Sequence, residues 1–216
     1  MIKVAPSILA ADPINLERDA RRAVEAGCDW LHVDIMDAHF VPNLAYTPEV
    51  VRRLKETFGV PLDVHLMMDH PQTLMDAFIA AGADILTIHA EIGPEVPALL
   101  EKIRQAGVLP GVALKPGTPL DTVAGYRDRA GLILTMTVEP GFGGQRLDES
   151  VLDKMKALRD GGYDGYIEAD GGIREDNLAR LIGSGLTAAV MGTALFRAED
   201  MGAAIGRIHR MGRTEE

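Results

Sequence analysis

The stretch Leu31–Asp37 reads LHVDIMD, so an imidazole, a carboxylate and a thioether recur at every second position between apolar residues. In an extended strand alternate side chains point to the same face, so these three share one face of a predicted strand. A buried face carrying an imidazole and a carboxylate needs a partner for both, because unpaired polar groups are costly to bury. A metal ion is one such partner. Residues 65–67 (HLM) repeat the pattern and residues 168–172 (EADGG) add a carboxylate, so we expect the three stretches to meet at one site.

The composition is that of a globular protein with enough chain for one sizeable core. Of 216 residues, 47% are hydrophobic and 25% charged, which is ordinary for a soluble domain. We predict a single domain over residues 1–216, with a polar, frayed tail at about 211–216. The net charge of −10 disfavours nucleic acid and acidic membrane surfaces as partners, because phosphate backbones are bound by clustered lysine and arginine.

The single cysteine and the start of the chain favour a cytoplasmic protein. Cys28 has no second cysteine to pair with, so a reducing compartment is expected. Its position between a predicted helix and a predicted strand favours a packing role over a nucleophilic one. Residues 1–6 lack the apolar run of a signal peptide, and no apolar stretch reaches membrane-spanning length.

Predicted strands and helices alternate along the chain. Eight strand–helix units with short connections predict an α/β fold with a parallel sheet. We expect it to close as a (β/α)8 TIM barrel, although such barrels usually have about 250 residues. An open doubly wound sheet is the alternative, but no GxGxxG follows the first strand. The predicted strands are residues 4–9, 30–36, 62–67, 84–89, 108–114, 132–138, 166–170 and 188–191, and the predicted helices are 12–26, 48–58, 71–81, 94–106, a short one from 118, 148–159, 175–182 and 200–210.

Polar residues collect at the C-terminal ends of the predicted strands, where the active sites of such barrels lie. Two imidazoles and two carboxylates make a donor set that suits zinc, iron, manganese or cobalt, and the sequence does not choose among them. A structural hydrogen bond is the alternative for each histidine alone, but their coincidence across separate strands favours a metal. The predicted ligands are His32, Asp34, His65 and Asp170, and Ser7 and His89 stand at other strand ends.

Asp34 and Asp170 come from distant parts of the chain and are expected to approach a substrate from opposite sides. Two facing carboxylates suit removal of a proton at one face of a carbon and its return at the other. A metal ion polarising the adjacent carbonyl would stabilise the enediolate between these steps. The alternative, that both carboxylates cap helices, is disfavoured because each ends an apolar strand, where burial without a role costs free energy.

Methionines and glycines complete the predicted site. Met36, Met67 and Met136 fall near strand ends, where methionine is usually core filler; here they would also form a dry lining around the reacting atoms. Glycine clusters at 141–144, 171–172 and 192 follow the last three predicted strands. Each alone is explained by a tight turn, but together they predict a phosphate site, because glycine lets backbone N–H groups approach an anion.

The motifs carrying these residues resemble those of the ribulose-phosphate 3-epimerase family over about residues 4–196. PSILAAD (6–12), HVDIMDAHFVPN (32–43), LDVHLM (62–67), MTVEPGFGGQ (136–145) and DGGI (170–173) occur in the family's order. The resemblance implies a barrel that interconverts D-ribulose 5-phosphate and D-xylulose 5-phosphate, one divalent metal ion per subunit and a homo-oligomer. It implies Asp34 and Asp170 as acid and base that also bind the metal with His32 and His65. The residues expected at the substrate are Ser7, His65, Gly141, Phe142, Gly143, Gly144, Gly171, Gly172, Gly192 and Thr193.

Three positions depart from the family pattern: Ala38 in place of the usual glycine, Leu147 in place of phenylalanine, and Thr193 where serine is common. None of them removes a ligand, and the changes at Ala38 and Thr193 would adjust the substrate cavity, so they bear on the sugar rather than on the chemistry. The alternative substrate is therefore D-allulose 6-phosphate, which a related branch epimerises with a nearly identical motif set.

The residues leave two alternative functions open besides that of an epimerase. Lys115, at the end of a predicted strand, would act as a Schiff-base lysine in an aldolase, although a metal set is superfluous to imine chemistry. A non-catalytic sugar-phosphate binder is the other reading. It is disfavoured because carboxylates without a chemical purpose would repel an anionic ligand.

Overall fold

A computed structural model of the chain describes residues 2–213. Within them strands alternate with helices, and the sheet is parallel apart from one two-residue strand. The strands are β1 (Lys3–Pro6), β2 (Leu31–Asp37), β3 (Leu44–Ala45), β4 (Leu62–Met67), β5 (Ile85–His89), β6 (Leu109–Leu114), β7 (Leu132–Met136), β8 (Tyr166–Asp170) and β9 (Ala188–Met191). The helices are α1 (Leu16–Glu25), α2 (Pro48–Thr57), α3 (Met75–Ala80), α4 (Val96–Gln105), α5 (Leu152–Asp160), α6 (Glu175–Gly183), α7 (Thr193–Phe196) and α8 (Met201–Met211).

Eight of these strands close into a barrel. Their order is β1-β9-β8-β7-β6-β5-β4-β2, and β3 pairs with β2 outside the ring. The two ends of that order meet through a parallel bridge between Ser7 and His32, and the Asp29 N–H donates to the Val4 carbonyl at 2.9 Å. The predicted α/β fold, a (β/α)8 TIM barrel, is confirmed.

Both faces of the barrel strands are buried, which explains why their sequences are almost continuously apolar. One alternation of β2 (Leu31, Val33 and Ile35) packs outward in the main hydrophobic cluster. The other alternation points into the barrel. There Trp30 and Tyr166 make an edge-to-face contact at the floor, with ring centroids 5.1 Å apart. The polar side chains of β2 therefore lie inside the barrel, above an apolar floor.

Element ends differ from the prediction where local hydrogen bonds compete with the regular element. The first helix begins at Leu16 rather than at Asp12, because the Asp12 carboxylate accepts the Ile14 N–H at 3.0 Å and forms a turn. Other ends shift as 3-10 turns replace predicted structure: Ile8–Ala10 after β1, Pro71–Thr73 before α3, Leu120–Val123 and Arg127–Arg129 in place of the short helix from 118, and Glu149–Val151 before α5. The predicted strand 132–138 ends at Met136, and β3 and α7 have no counterpart in the prediction.

The remaining expectations concern the chain end, membranes and the cysteine. Met211 still belongs to α8, and residues 214–216 of the predicted tail lie outside the described residues. None of the helices described here is long and apolar enough to cross a membrane. Burial, with the nearby charge of Asp29, raises the pKa of the Cys28 thiol to about 12, which suits a packing role rather than a nucleophilic one.

Candidate active site

The four predicted metal ligands come together at the C-terminal end of the barrel. β2 carries His32 and Asp34, and the register of β2 with β4 sets Asp34 beside His65. Asp170 ends β8. One nitrogen or oxygen atom from each side chain lies within 4.8 Å of the others. The first three residues are buried and Asp170 is partly exposed, so the cluster has one open side.

The donor atoms lie close enough to one another to share one divalent cation. Asp34 Oδ1 lies 3.3 Å from His32 Nε2 and 3.4 Å from His65 Nδ1. These distances exceed the usual N–H···O range of about 2.7–3.2 Å, so they fit donors around an ion better than direct hydrogen bonds. Two nitrogen and two oxygen donors suit zinc, iron, manganese or cobalt. The cluster can therefore hold a metal ion.

Two of the ligands are oriented by partners on the side away from the cluster. Ser7 Oγ donates to Asp34 Oδ2 at 2.7 Å, which leaves Oδ1 facing the imidazoles. His32 Nδ1 lies 2.5 Å from Asp63 Oδ2, so His32 presents Nε2 to the cluster. Such partners fix the orientation and basicity of a ligand.

Asp63 and Glu168 form an acidic layer beneath the ligands that the sequence interpretation missed. Both side chains are fully buried and lie within 4.8 Å of His32. Burial, together with the charge of Asp63, raises the pKa of Glu168 well above its usual value, which favours the neutral form of its carboxyl group. The sequence does indicate that these two acids face the inside of the barrel. Asp63 stands two positions before His65 and Glu168 two before Asp170, so each shares the inward alternation of a ligand.

The pKa values of the two predicted catalytic carboxylates are pushed apart. Burial raises the pKa of Asp170 to about 6, and the charge of Asp34 adds to the rise. Burial would also raise the pKa of Asp34, but His32 and His65 outweigh it and hold that pKa well below its usual value. Asp34 is thus anionic at neutral pH, while Asp170 titrates close to neutral pH. Such a difference in pKa distinguishes a base from an acid.

A cavity of about 400 Å³ opens over the cluster. Asp34 and Asp170 line it, together with Met36, Met67 and Met136. Of the residues predicted at the substrate, the cavity is lined by Ser7, Gly141, Phe142, Gly143, Gly144, Gly171, Gly172, Gly192 and Thr193, whereas His65 is fully buried beneath it. Arg174 and Arg197, which the sequence interpretation did not single out, line it as well.

Lys115 and His89 lie beside this cavity rather than in its lining. Lys115 Nζ is 3.9 Å from the centroid of the Phe40 ring, a cation–π contact. The other neighbour of that ring is His89, with ring centroids 4.4 Å apart. Burial lowers the pKa of His89 to about 4, so its imidazole is neutral. Lys115 is poorly placed to form an imine with a ligand that lies on Asp34 and Asp170.

Gly172 allows the loop after β8 to approach the loop after β7. A Cβ at Gly172 would lie 2.5 Å from the Leu147 nitrogen and 2.8 Å from the Gln145 carbonyl oxygen. The φ of Gly172 is +62°, in the left-handed region that favours glycine. The two loops that line the cavity are therefore in direct backbone contact at this position.

Comparison with known proteins identifies the relatives of this chain. A sequence model of the Ribulose-phosphate 3 epimerase family matches residues 3–196. The chain is 41% identical over 213 residues to the ribulose-phosphate 3-epimerase of Bacillus subtilis (strain 168), a match that covers 96% of this chain and 98% of that one. The chain belongs to the ribulose-phosphate 3 epimerase family.

A plant relative and solved structures of other proteins are also similar to this chain. The chain is 41% identical to the chloroplastic ribulose-5-phosphate-3-epimerase of Arabidopsis thaliana, over 94% of this chain and 75% of that one. Among solved structures, KGPDC from Streptococcus mutans superposes with a TM-score of 0.73 at 16% identity, over 98% of this chain and 97% of that one. A 3-hexulose-6-phosphate synthase superposes with a TM-score of 0.71 at 17% identity, over 98% of this chain and 99% of that one. At such identities the likeness concerns the fold alone.

The three departures from the family pattern have different structural settings. Ala38 has a φ of +64°, and its N–H donates to the Asn43 carbonyl at 3.0 Å. An alanine held in this left-handed conformation costs roughly 1–2 kcal/mol, which explains why an epimerase-family glycine is expected there. Leu147 packs at the edge of the main hydrophobic cluster, and Thr193 lines the cavity.

Proposed function

We propose that this chain interconverts D-ribulose 5-phosphate and D-xylulose 5-phosphate by epimerisation at C3, with one divalent metal ion per subunit. The observation that carries the proposal is the meeting of Asp34 and Asp170 in one cluster with two imidazoles, at a cavity of about 400 Å³. Membership of the family supports the reaction, since the relatives carry its name.

Proton transfer is assigned to Asp34 and Asp170. The C3 proton of the ketose is next to a carbonyl, and its removal leaves a planar enediolate that accepts a proton at either face. Asp34, anionic because of its imidazole neighbours, suits the base, and Asp170, which titrates near neutrality, suits the acid. The roles exchange in the reverse direction. When bound, the metal ion supplies stabilisation of the negative charge that develops on the substrate oxygens.

The far end of the cavity is assigned to the phosphate group. The glycine loops at 141–144 and 171–172 line the cavity, and backbone N–H groups of such loops bind anions without a formal charge. This matters in a chain with a net charge of −10. Met36, Met67 and Met136 keep water from the reacting carbons, because they line the same cavity as Asp34 and Asp170.

Gly172→Ala is expected to raise KM for the sugar phosphate about tenfold, the equivalent of ~1.4 kcal/mol. The added methyl group would meet the backbone at Leu147 and Gln145 and push the loop after β7 away from the phosphate end. Steady-state kinetics separates KM from kcat. Gly183→Ala is the matched control, since a Cβ at Gly183 meets nothing within 4 Å. An unchanged KM in Gly172→Ala would contradict the assigned phosphate site.

Solvent deuterium incorporation at C3, followed by proton NMR with D-ribulose 5-phosphate and with D-allulose 6-phosphate, tests the proposed reaction. We expect exchange and appearance of the C3 epimer, faster with the five-carbon sugar. Faster turnover of the six-carbon sugar would assign the chain to the hexulose 6-phosphate branch. Binding of both sugars without exchange would identify a binder, and a borohydride-trapped adduct would identify Schiff-base chemistry.

Metal binding is expected to release one more proton at about pH 5 than at about pH 7.5, because ligands must lose their protons to bind. In the metal-free protein Asp170 has a pKa of about 6, so it is protonated at the lower pH only. Apparent Zn²⁺ affinity therefore falls as the pH drops through 6. Calorimetry in buffers of different ionisation enthalpy counts the released protons. Asp170→Asn should lower the difference by about one proton, and a count independent of pH in the unaltered protein would contradict the prediction.

The proposal also covers the identity of the metal ion, the oligomeric state and the cellular location of the protein. Elemental analysis of the purified protein distinguishes zinc, iron, manganese and cobalt. We infer a homo-oligomer in the cytoplasm, as the family resemblance and the single cysteine suggest. Sedimentation velocity tests the assembly, and a single species at the monomer mass would contradict it.

A further inference from the structure

A chain of buried polar side chains leads away from the ligand cluster. His65 Nε2 lies 2.9 Å from His89 Nε2, and His89 Nδ1 lies 2.9 Å from Glu91 Oε2. The two imidazoles are fully buried, and the Glu91 side chain is 19% exposed. His89 ends β5 and Glu91 follows it in a 3-10 turn, so neither belongs to the ligand set.

The contact between the two imidazoles fixes where their hydrogens lie. Two ring nitrogens 2.9 Å apart form a hydrogen bond only if one carries a hydrogen and the other a lone pair. His65 turns Nδ1 toward Asp34, at 3.4 Å, so Nδ1 is the atom that meets a metal ion and must be bare. His65 Nε2 therefore carries the hydrogen and donates it to His89. It follows that His89 carries its own hydrogen on Nδ1 and donates it to Glu91.

Glu91 is suited to fix the direction of this chain because its carboxylate accepts hydrogen bonds from both sides. Its Oε1 accepts the Lys115 N–H at 2.8 Å and the Thr118 hydroxyl, and its Oε2 faces His89. Burial would raise the pKa of Glu91, but the hydrogen bond from His89 and its other partners outweigh it and lower that pKa to about 2. An acceptor with no hydrogen of its own admits only one direction of donation.

We propose that His89 and Glu91 are positioning residues that hold His65 in the tautomer able to bind metal through Nδ1. The proposal rests on the metal site of the proposed function but not on the reaction. It assigns a role to His89, which the cavity geometry leaves without one. His32 reaches the same result in one step, since its Nδ1 faces Asp63 directly.

Glu91→Gln tests the direction of the chain with little change in shape. The glutamine has one acceptor oxygen where the glutamate has two. If that oxygen stays with Lys115 and Thr118, the amide NH₂ faces His89 and turns it into the opposite tautomer. His89 then donates to His65 Nε2, and the His65 hydrogen moves to Nδ1, where it blocks the metal.

We expect Glu91→Gln to weaken Zn²⁺ binding about 10–100-fold in a chelator competition, the range for losing a hydrogen-bond partner of a metal ligand. Nitrogen-15 NMR of histidine-labelled, metal-free protein should show His89 hydrogen moving from Nδ1 to Nε2. Thr118→Val is the matched control: it removes another donor to Glu91 but leaves the hydrogen bond from His89, so the Zn²⁺ affinity and the His89 tautomer should stay unchanged.

A second pair of variants covers the case in which Glu91→Gln does not fold. His89→Gln keeps an acceptor for the His65 N–H and should bind Zn²⁺ more tightly than His89→Leu, which has none. Equal affinities in this pair, or unaltered affinity and tautomer in folded Glu91→Gln, would overturn the proposal while leaving the metal site intact. If the unaltered protein binds no Zn²⁺, the metal site itself fails and this proposal fails with it.

Discussion

Replacing Asp170 by asparagine is expected to lower kcat for epimerisation by roughly 10²–10⁴-fold, the contribution typical of a positioned acid or base. Asparagine keeps the shape of the side chain but cannot exchange a proton. Asp34→Asn should have an effect of the same size, since each carboxylate serves one face of C3. Steady-state assays in both directions, together with deuterium exchange at C3, measure the loss.

The control for these two variants is Asp148→Asn. Asp148 is an exposed carboxylate near the same rim that caps a 3-10 turn by accepting the Ser150 N–H, a role that asparagine also fills. We expect near-normal kcat in this variant and native circular dichroism in all three. A near-normal rate in either Asp34→Asn or Asp170→Asn would refute the assignment of two bases.

His65→Ala is expected to remove most of the bound metal. The change deletes one of four donors, so the loss of affinity should exceed the roughly 10–100-fold that follows loss of a ligand's hydrogen-bond partner. Elemental analysis of the purified variant and chelator competition with Zn²⁺ measure the loss, and epimerisation should fall with metal content.

The comparison variant is His70→Ala, because His70 is an exposed histidine on the loop just after the same strand. It should keep its full metal content. Full metal occupancy in His65→Ala would show that His65 is not a ligand and would leave the cluster with three donors.

The fold was predictable because its signals are local. The near-continuous apolar runs of β2 and β4 and the capping residues between them mark strands and helices within windows of about ten residues. The residues at which the helices and strands begin and end were less predictable. The sequence predicts Asp12 as a helix cap, but its carboxylate accepts the Ile14 N–H and forms a turn, so the helix begins at Leu16. The choice between cap and turn depends on small differences in hydrogen bonding that the sequence pattern does not resolve.

The candidate site was predictable to the extent that it follows the alternation of a strand. The period of two placed His32 and Asp34 on the inner face of β2, and the same rule applied to Asp63 would have revealed the buried acid beneath them. The proposed role of His89 could not be predicted from the sequence. Its ring could have met solvent, the cavity or another side chain, and nothing near it in the sequence selects among these.

The sequence by itself determined the barrel and the predicted ligand set, because strand alternation and glycine clusters are properties of neighbouring residues. Only the tertiary structure decided how those ligands are held. The partner of His32 is 31 residues away and the partner of His65 is 24 residues away, and the strand register brings them together. The direction of the hydrogen bonds that leave His65 is decided in the same way. It depends on an acceptor that reaches His65 only through His89, which is a relation in space that no local pattern of residues records.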